Sequence, residues 1–385
     1  MTEQEVCLAL DKWEEYRSHI TEPTNDIERA RSHYEGAMIW ASCGFVLQKF
    51  ESALAFPIGL LLASRKNNET LQKKVDAVVT CSKKDFLLDS ETLPEKLKQQ
   101  YPAFERVSEK KDLFRTLMNI HLDVDGRNLV KQVFKAYPGK PYFYMSVLLH
   151  LAQLNNLILK YQPKAIITTQ TEQDFTSSVA THYCESKGIK YICVQHGEYG
   201  YNPSMAYMRF SEYYAWDQNT IDLLELTNLP IDYATLYTPV RYQKRYYKTE
   251  NCPFFLKYYL AGNDGPEDVE KILGILLRFS QKGFKCAMRC HPRGLTTQQS
   301  LEIRCKDTGI QVENNKLCSI GESIANCEYV VAYRSTVLSE AVANKMPIIV
   351  DDLTHDIAIS LRVHDVNTTR ADYFLSDFMK AKLGE

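Results

Sequence analysis

Two turns in the second half of the chain carry residue types that bind anions. His291-Pro292-Arg293 follows the apolar, strand-like run 285–290. Arg334-Ser335-Thr336 follows a second such run, 327–332, and opens a helix-like stretch. A histidine can donate a hydrogen bond to phosphate and an arginine can neutralise it in bidentate fashion, while Pro292 fixes the turn. Hydroxyls and free backbone N–H groups at a helix start, helped by the helix dipole, favour a negative charge. Each turn has an ordinary explanation when taken alone. Ser335 or Thr336 would cap a helix without any ligand, and His-Pro pairs arise by chance. Repeated in the same strand-then-helix setting, they describe a nucleotide-phosphate site. Glu340 falls one turn into that helix, within reach of ribose hydroxyls. Gly262-Asn263-Asp264-Gly265 follows another strand-like run, where backbone can approach a nucleotide closely, although Asn, Asp and Gly are equally the residues of a plain turn.

In the first half, Gln195-His196-Gly197-Glu198 closes the apolar run 188–194. His196 is a candidate general base because its pKa lies near working pH. Glu198, Glu172 and Asp174 are the carboxylates able to orient it or to act in its place; the plain alternative is a histidine satisfied by packing at a strand end. Asp123-Val-Asp125 has the form of a metal-binding pair but lacks a preceding strand, so a turn is expected. Asp351-Asp352 is read as an ordinary acidic strand end. No Gly-Lys-Ser phosphate loop and no Gly-x-Gly-x-x-Gly run occurs, which argues against a P-loop ATPase and a conventional NAD enzyme.

The elements that must position these residues alternate. Residues 1–150 read as mostly helical, with 11–19 and 25–34 amphipathic, 93–117 dense in Lys and Glu, and 144–161 apolar at helical spacing; 76–81 is a candidate short strand. From 165 onward, buried β-branched runs, polar turns and helices follow in βαβ order, which implies parallel sheets. Strands are expected at 165–169, 188–194, 213–216, 254–262, 284–290, 310–312, 327–332 and 346–350, with helices at 176–187, 219–226, 266–282, 297–307 and 335–343. The expected fold is therefore α/β, two Rossmann-like domains facing across a cleft. The first would span 1–240 with a helical N-terminal part and the second 241–385, its last helix packing back on the first domain. Ligands of such sheets bind at the carboxyl ends of the strands, where every turn singled out above lies.

At 385 residues the chain is long for one core and comfortable for two. A net charge of −2 gives no strong field toward nucleic acid, so no nucleic-acid partner is expected. The basic patches at 244–248 and 110–111 read as solvated faces. Eleven cysteines without any Cys-x-x-Cys pair offer no zinc site and read as reduced, mostly buried thiols. The opening Met-Thr-Glu-Gln-Glu-Val lacks the regions of a signal peptide, and the apolar run 53–63 falls far short of the ~20 residues that span a bilayer. A cytoplasmic location is expected.

The stretch 258–352 resembles the donor-binding domain of GT-B glycosyltransferases, on the strength of His291-Pro292 and the later Ser335-Thr336. The likeness is to the group that makes bacterial surface polysaccharides: sialyl- and polysialyltransferases, capsule Kdo transferases, and CDP-glycerol glycerophosphotransferases. His196-Gly197 stands where the last of these carry a His-Gly turn with the base. The acidic Asp/Glu-Asp/Glu-Gly motif of the sialyltransferases has no clear match, which leaves the base open between His196 and a carboxylate. The resemblance implies a metal-independent glycosyltransferase without a cofactor. It would move a sugar from a nucleotide-activated donor, CMP-linked by the likeness, to a hydroxyl of a capsule or lipopolysaccharide glycan or glycolipid, with peripheral association at the inner face of a membrane. Alternatives within the same fold are a sugar-nucleotide epimerase, which would be expected to carry a glycine- and arginine-rich first turn near the N-terminus that does not occur here, a CDP-glycerol or polyol phosphotransferase, which is closer, and a non-catalytic protein that binds nucleotide sugar.

Overall fold

The structure is a computed structural model that describes residues 3–40, 56, 57, 59, 63, 71, 73–81, 93–108, 120–169, 174–195, 201–226, 234–239, 246–292, 294–333, 335–355, 357 and 366–384. Two compact units divide the chain, the first running to Val240 and the second from Arg241 to Glu385.

The first unit opens with helices α1 (Glu3–His19) and α2 (Asp26–Trp40), followed by strand β1 (Ala77–Cys81), helix α3 (Glu95–Gln100) and strand β2 (Phe104–Ser108). Helices α4 (Val124–Ala136) and α5 (Pro141–Tyr161) lead to β3 (Ala165–Thr168), α6 (Ser177–Ser186), β4 (Lys190–Val194), β5 (Glu212–Ala215), α7 (Gln218–Leu226) and β6 (Ala234–Leu236). Its six strands are all parallel in the order β2-β1-β3-β4-β5-β6. Ala-Ile-Ile-Thr of β3 is buried along its whole length, as a strand covered on both faces must be.

The second unit contains β7 (Phe254–Tyr259), α8 (Pro266–Gln281), β8 (Cys286–Arg289), α9 (Gln298–Cys305), β9 (Gln311–Glu313), α10 (Ile320–Ala325) and β10 (Cys327–Ala332). Then follow α11 (Thr336–Ala343), β11 (Ile348–Val350), α12 (Val366–Thr369), β12 (Tyr373–Phe374) and α13 (Leu375–Leu383). Again all six strands are parallel, in the order β12-β11-β10-β7-β8-β9. Two Rossmann-like α/β units are thus present. Helix α8 illustrates how sequence gives element. Pro266 fills its first turn, the Asp268 carboxylate accepts the Gly265 N–H at 3.0 Å, and Val269, Ile272, Leu273, Leu276 and Phe279 form one buried stripe. Each such side chain contributes roughly 1.5–3 kcal/mol through burial. The last helix lies in this unit's own core, where Phe378 packs against Phe255, Phe279 and Tyr329.

Two sequence expectations change. Within the Lys- and Glu-rich stretch 93–117, part of the region expected to be mostly helical, the described residues form helix α3 and strand β2. Pro102 cannot continue α3, and Phe-Glu-Arg-Val-Ser then forms β2, an edge strand that tolerates Glu105 and Arg106 because one side is unpaired. The first sheet therefore begins well before residue 150. The short outer strands β6 and β12 were not anticipated either.

Lys257, in the middle of β7, is fully buried. Its ammonium meets the Glu313 carboxylate at 2.6 Å and the Ser323 carbonyl at 2.9 Å, and Arg289 reaches the other Glu313 oxygen at 2.6 Å. Burial alone would raise the Glu313 carboxyl, but the hydrogen bonds from Lys257, Ser323 and Arg289 outweigh it and hold the group below its ordinary value. The buried thiols of Cys184, Cys286 and Cys327 are pushed up to about 12 by desolvation, which makes them inert.

Candidate functional site

In the second unit the chain winds one way through β7, β8 and β9 and the other way through β10, β11 and β12. Neighbouring crossovers part between β7 and β10, the switch point at which sheets of this kind leave a crevice for ligands between the turns that follow the two strands. The turn after β7 is Gly262-Asn263-Asp264-Gly265. Asp264 is buried, and its Oδ2 accepts the Ala261 N–H at 2.7 Å, which folds the turn back on itself. Asn263 stands exposed at its tip. The His291 ring from the end of β8 lies beside Gly262, where an added Cβ would come 3.5 Å from its Nδ1. The Leu295 N–H donates to the Gly262 carbonyl at 3.0 Å and so holds the two turns together. His291 and Pro292 are both exposed.

Across the crevice, Ser335 caps α11, its hydroxyl accepting the Val337 N–H at 3.3 Å. Thr336 is exposed at the first helical position and Glu340 half-buried one turn on. The structure thus sets His291 beside Gly262, with Asn263 and Pro292 in the same two turns, and places Ser335, Thr336 and Glu340 at the start of α11 after β10. Arg293 and Arg334 lie outside the described residues.

Two further residues at this crevice were missed by sequence reasoning. Tyr333, at the end of β10, stacks on His355 with ring centroids 4.2 Å apart and planes 15° apart. His355 Nε2 approaches Asp264 Oδ1 at 3.2 Å. Asp351 delivers this histidine. Its buried carboxylate accepts the Tyr258 hydroxyl at 2.6 Å and the Leu353 and Thr354 N–H groups at 2.9 and 3.0 Å, which shapes the turn after β11. Asp352 accepts the Ser376 N–H at 2.8 Å at the start of α13. The acidic strand end is therefore a turn organiser. The signal that could have found His355 was its place just beyond the carboxyl end of a buried strand.

In the first unit, Asp174 is committed locally. Oδ1 accepts the Thr176 N–H at 2.9 Å and hydroxyl at 2.6 Å, and Oδ2 lies 3.5 Å from the His150 ring. His196, Gly197, Glu198 and Glu172 lie outside the described residues. Gln195 before them is buried, accepting the Trp216 N–H at 2.7 Å and donating to Thr220 at 3.2 Å. Asp123 caps α4 through the Gly126 N–H at 2.9 Å, and Lys187 pairs with both Asp123 and Asp125. Among the described residues no cluster of three or more His, Cys, Asp or Glu side chains is placed to hold a metal ion. A groove of about 590 Å³ beside α2 is lined by Asp26, Glu28, Arg29, Gln132, His182 and Arg209, but Asp26 already pairs with Arg209 at 3.0 Å and His182 at 3.2 Å. Among the described residues no helix is long and apolar enough to cross a membrane.

No family model matches the chain, and no curated protein matches it in sequence. Solved structures with a similar course include the UDP-N-acetylglucosamine 2-epimerase of Rickettsia bellii, at 10% identity, covering 79% of this chain and 89% of the other, with a TM-score of 0.41. The epimerase of Methanocaldococcus jannaschii, solved with UDP-GlcNAc and UDP, gives 12% identity, 72% and 83% coverage and a TM-score of 0.40. The lipopolysaccharide outer core galactosyltransferase WaaB in its apo form gives 10% identity, 79% and 93% coverage and a TM-score of 0.40. Scores this low carry no inference about chemistry, which has to come from the residues themselves.

Proposed function

We propose that the protein is a glycosyltransferase of the GT-B type, moving a sugar from a nucleotide-activated donor to a hydroxyl of a surface-glycan acceptor. The observation that carries this reading is the pairing of two anion-suited turns at one switch point: His291 packed beside Gly262 on one side, and the Ser335-capped start of α11 on the other. Preorganised donors of this kind stabilise negative charge that develops on a leaving phosphate, the electrostatic contribution that usually dominates such chemistry. His291, Pro292, Arg293, Ser335 and Thr336 would bind the donor phosphates, with Gly262 and Asn263 beside the nucleotide and Glu340 on the ribose. The acceptor hydroxyl would lose its proton to His196, or to Glu198, Glu172 or Asp174. No cofactor beyond the donor is called for, and the likeness in motifs favours a cytidine nucleotide. The expected setting is cytoplasmic, peripheral at the membrane where lipid-linked acceptors reside.

A thermal-shift screen of the purified protein against CMP, CDP, UMP, UDP, GDP and ADP, repeated with His291→Ala, tests the donor half. A ligand that binds only the folded state raises the melting temperature. Stabilisation by CMP or CDP that disappears in the variant supports the reading as stated. Stabilisation by UDP alone changes the donor, and no shift with any nucleotide rejects it.

A further inference from the structure

We propose that His355 is a positioning residue of this nucleotide site, tying the turn after β7 to the turn after β10 and making nucleotide binding depend on its proton. The inference rests on the nucleotide reading above and adds to it a residue and a pH dependence. Asp264 is buried to 1% exposure, and such a carboxylate is strongly unfavourable without a counter-charge. Its Oδ2 is occupied by the Ala261 N–H, whereas Oδ1 has no hydrogen-bond partner among the described residues. His355 Nε2 stands 3.2 Å from Oδ1, yet it too lacks an aligned hydrogen bond. The contact is held by charge and not by a directed bond, so it depends on whether the imidazole is protonated.

The same ring lies flat on Tyr333, the residue immediately before the Arg334-Ser335-Thr336 turn. Asp264 belongs to the turn whose Gly262 lies beside His291. One imidazolium thus joins both borders of the crevice. Among the described residues, the charged groups that face it are Asp264 from the turn after β7, Asp268 from α8 and Asp351 from the turn after β11, with Tyr333 on its flat side. Burial pushes the imidazolium down, but the close contact with Asp264 and the charges of the three carboxylates outweigh it and raise His355 above its ordinary value of 6.5. The tie is therefore complete below that ordinary value and is lost as pH rises through the raised one. By linkage, a bound phosphate adds negative charge to the crevice and draws the proton on more tightly.

The test uses the full-length protein with histidine labelled at Cε1 for NMR titration, together with calorimetric binding of CDP and UDP at pH 6 and pH 8.5. One resonance, absent in His355→Gln, is expected to titrate above 6.5 in the wild type and to fall in Asp264→Asn. Added nucleotide should move it further up. Affinity should weaken about tenfold between the two pH values in the wild type, stay flat in His355→Gln, and hold at pH 8.5 in His355→Lys. A His355 resonance at or below its ordinary value overturns the inference, as does a pH slope that survives in His355→Gln. Either result leaves the nucleotide reading intact when binding itself persists. Absence of CDP and UDP binding at both pH values defeats that reading and this inference with it. Should His355→Gln fail to fold, the wild-type and Asp264→Asn titrations decide.

Discussion

Both units set an aspartate, placed between a parallel strand and its helix, beside a histidine from another element, and the two pairs differ in how their atoms are spent. In the first, Asp174 lies 3.5 Å from His150, but its Oδ1 is given to the start of α6 through Thr176. The His150 ring meets the Thr176 hydroxyl at Nδ1 and the Tyr191 hydroxyl, 3.2 Å away, at Nε2. Both ring nitrogens and Oδ1 are matched by hydrogen bonds within the unit. In the second, Asp264 and His355 approach to 3.2 Å with facing atoms that lack hydrogen bonds, and the ring spans two turns at the switch point. Identical residue types make a closed joint in one unit and an incompletely matched one in the other. Function is more readily sited where the matching stops.

The largest effect expected from breaking a closed group lies in the second unit's interior. Glu313→Gln leaves Lys257 and Arg289 buried without their shared carboxylate and should cost about 3–5 kcal/mol, read as a drop in the urea midpoint. A direct comparison of the two pairs comes next. Asp264→Asn should lower stability by about 1–3 kcal/mol at pH 6, because the His355 imidazolium loses its partner. His355 is raised in the folded state, so its contribution is present below 6.5 and fades as pH rises through the raised value; the cost of Asp264→Asn should shrink accordingly by pH 9. Asp174→Asn should cost less than about 0.5 kcal/mol at any of these pH values, since Asn serves a helix start nearly as well as Asp. Equal, pH-independent losses at the two sites would erase the distinction drawn here. The smallest effect separates a cap that also serves a site from one that does not. Ser335→Ala and Ser319→Ala should each cost about 1 kcal/mol, the second through the box with Glu322, but only the first should weaken nucleotide binding.

How much of this was legible depends on where each element sits. The central strands announce themselves because burial on both faces demands continuous β-branched runs, as in Ala165–Thr168 and Ile348–Val350. The edge strand Phe104–Ser108 does not, because one open side admits Glu and Arg and the charge pattern then imitates a helix. The turns at 262–265, 291–292 and 335–336 stand out in the sequence as candidates because strand ends of parallel sheets are where ligands go. His355 also stands just beyond a strand end, but the aspartates that shape its turn read in the sequence as an ordinary acidic strand end and draw attention away from it. Its partner Tyr333 falls between the expected strand 327–332 and the turn 334–336 and belongs to neither reading.

The claim at the centre of this account is that the switch point of the second unit holds the nucleotide. Hydrogen–deuterium exchange of the full chain, with and without saturating CDP or UDP, tests it most directly. Protection is predicted at 262–265, 291–295 and 335–338, together with the turn that carries His355. Protection confined to the first unit, or no change anywhere in the second at concentrations where calorimetry records binding, would contradict it.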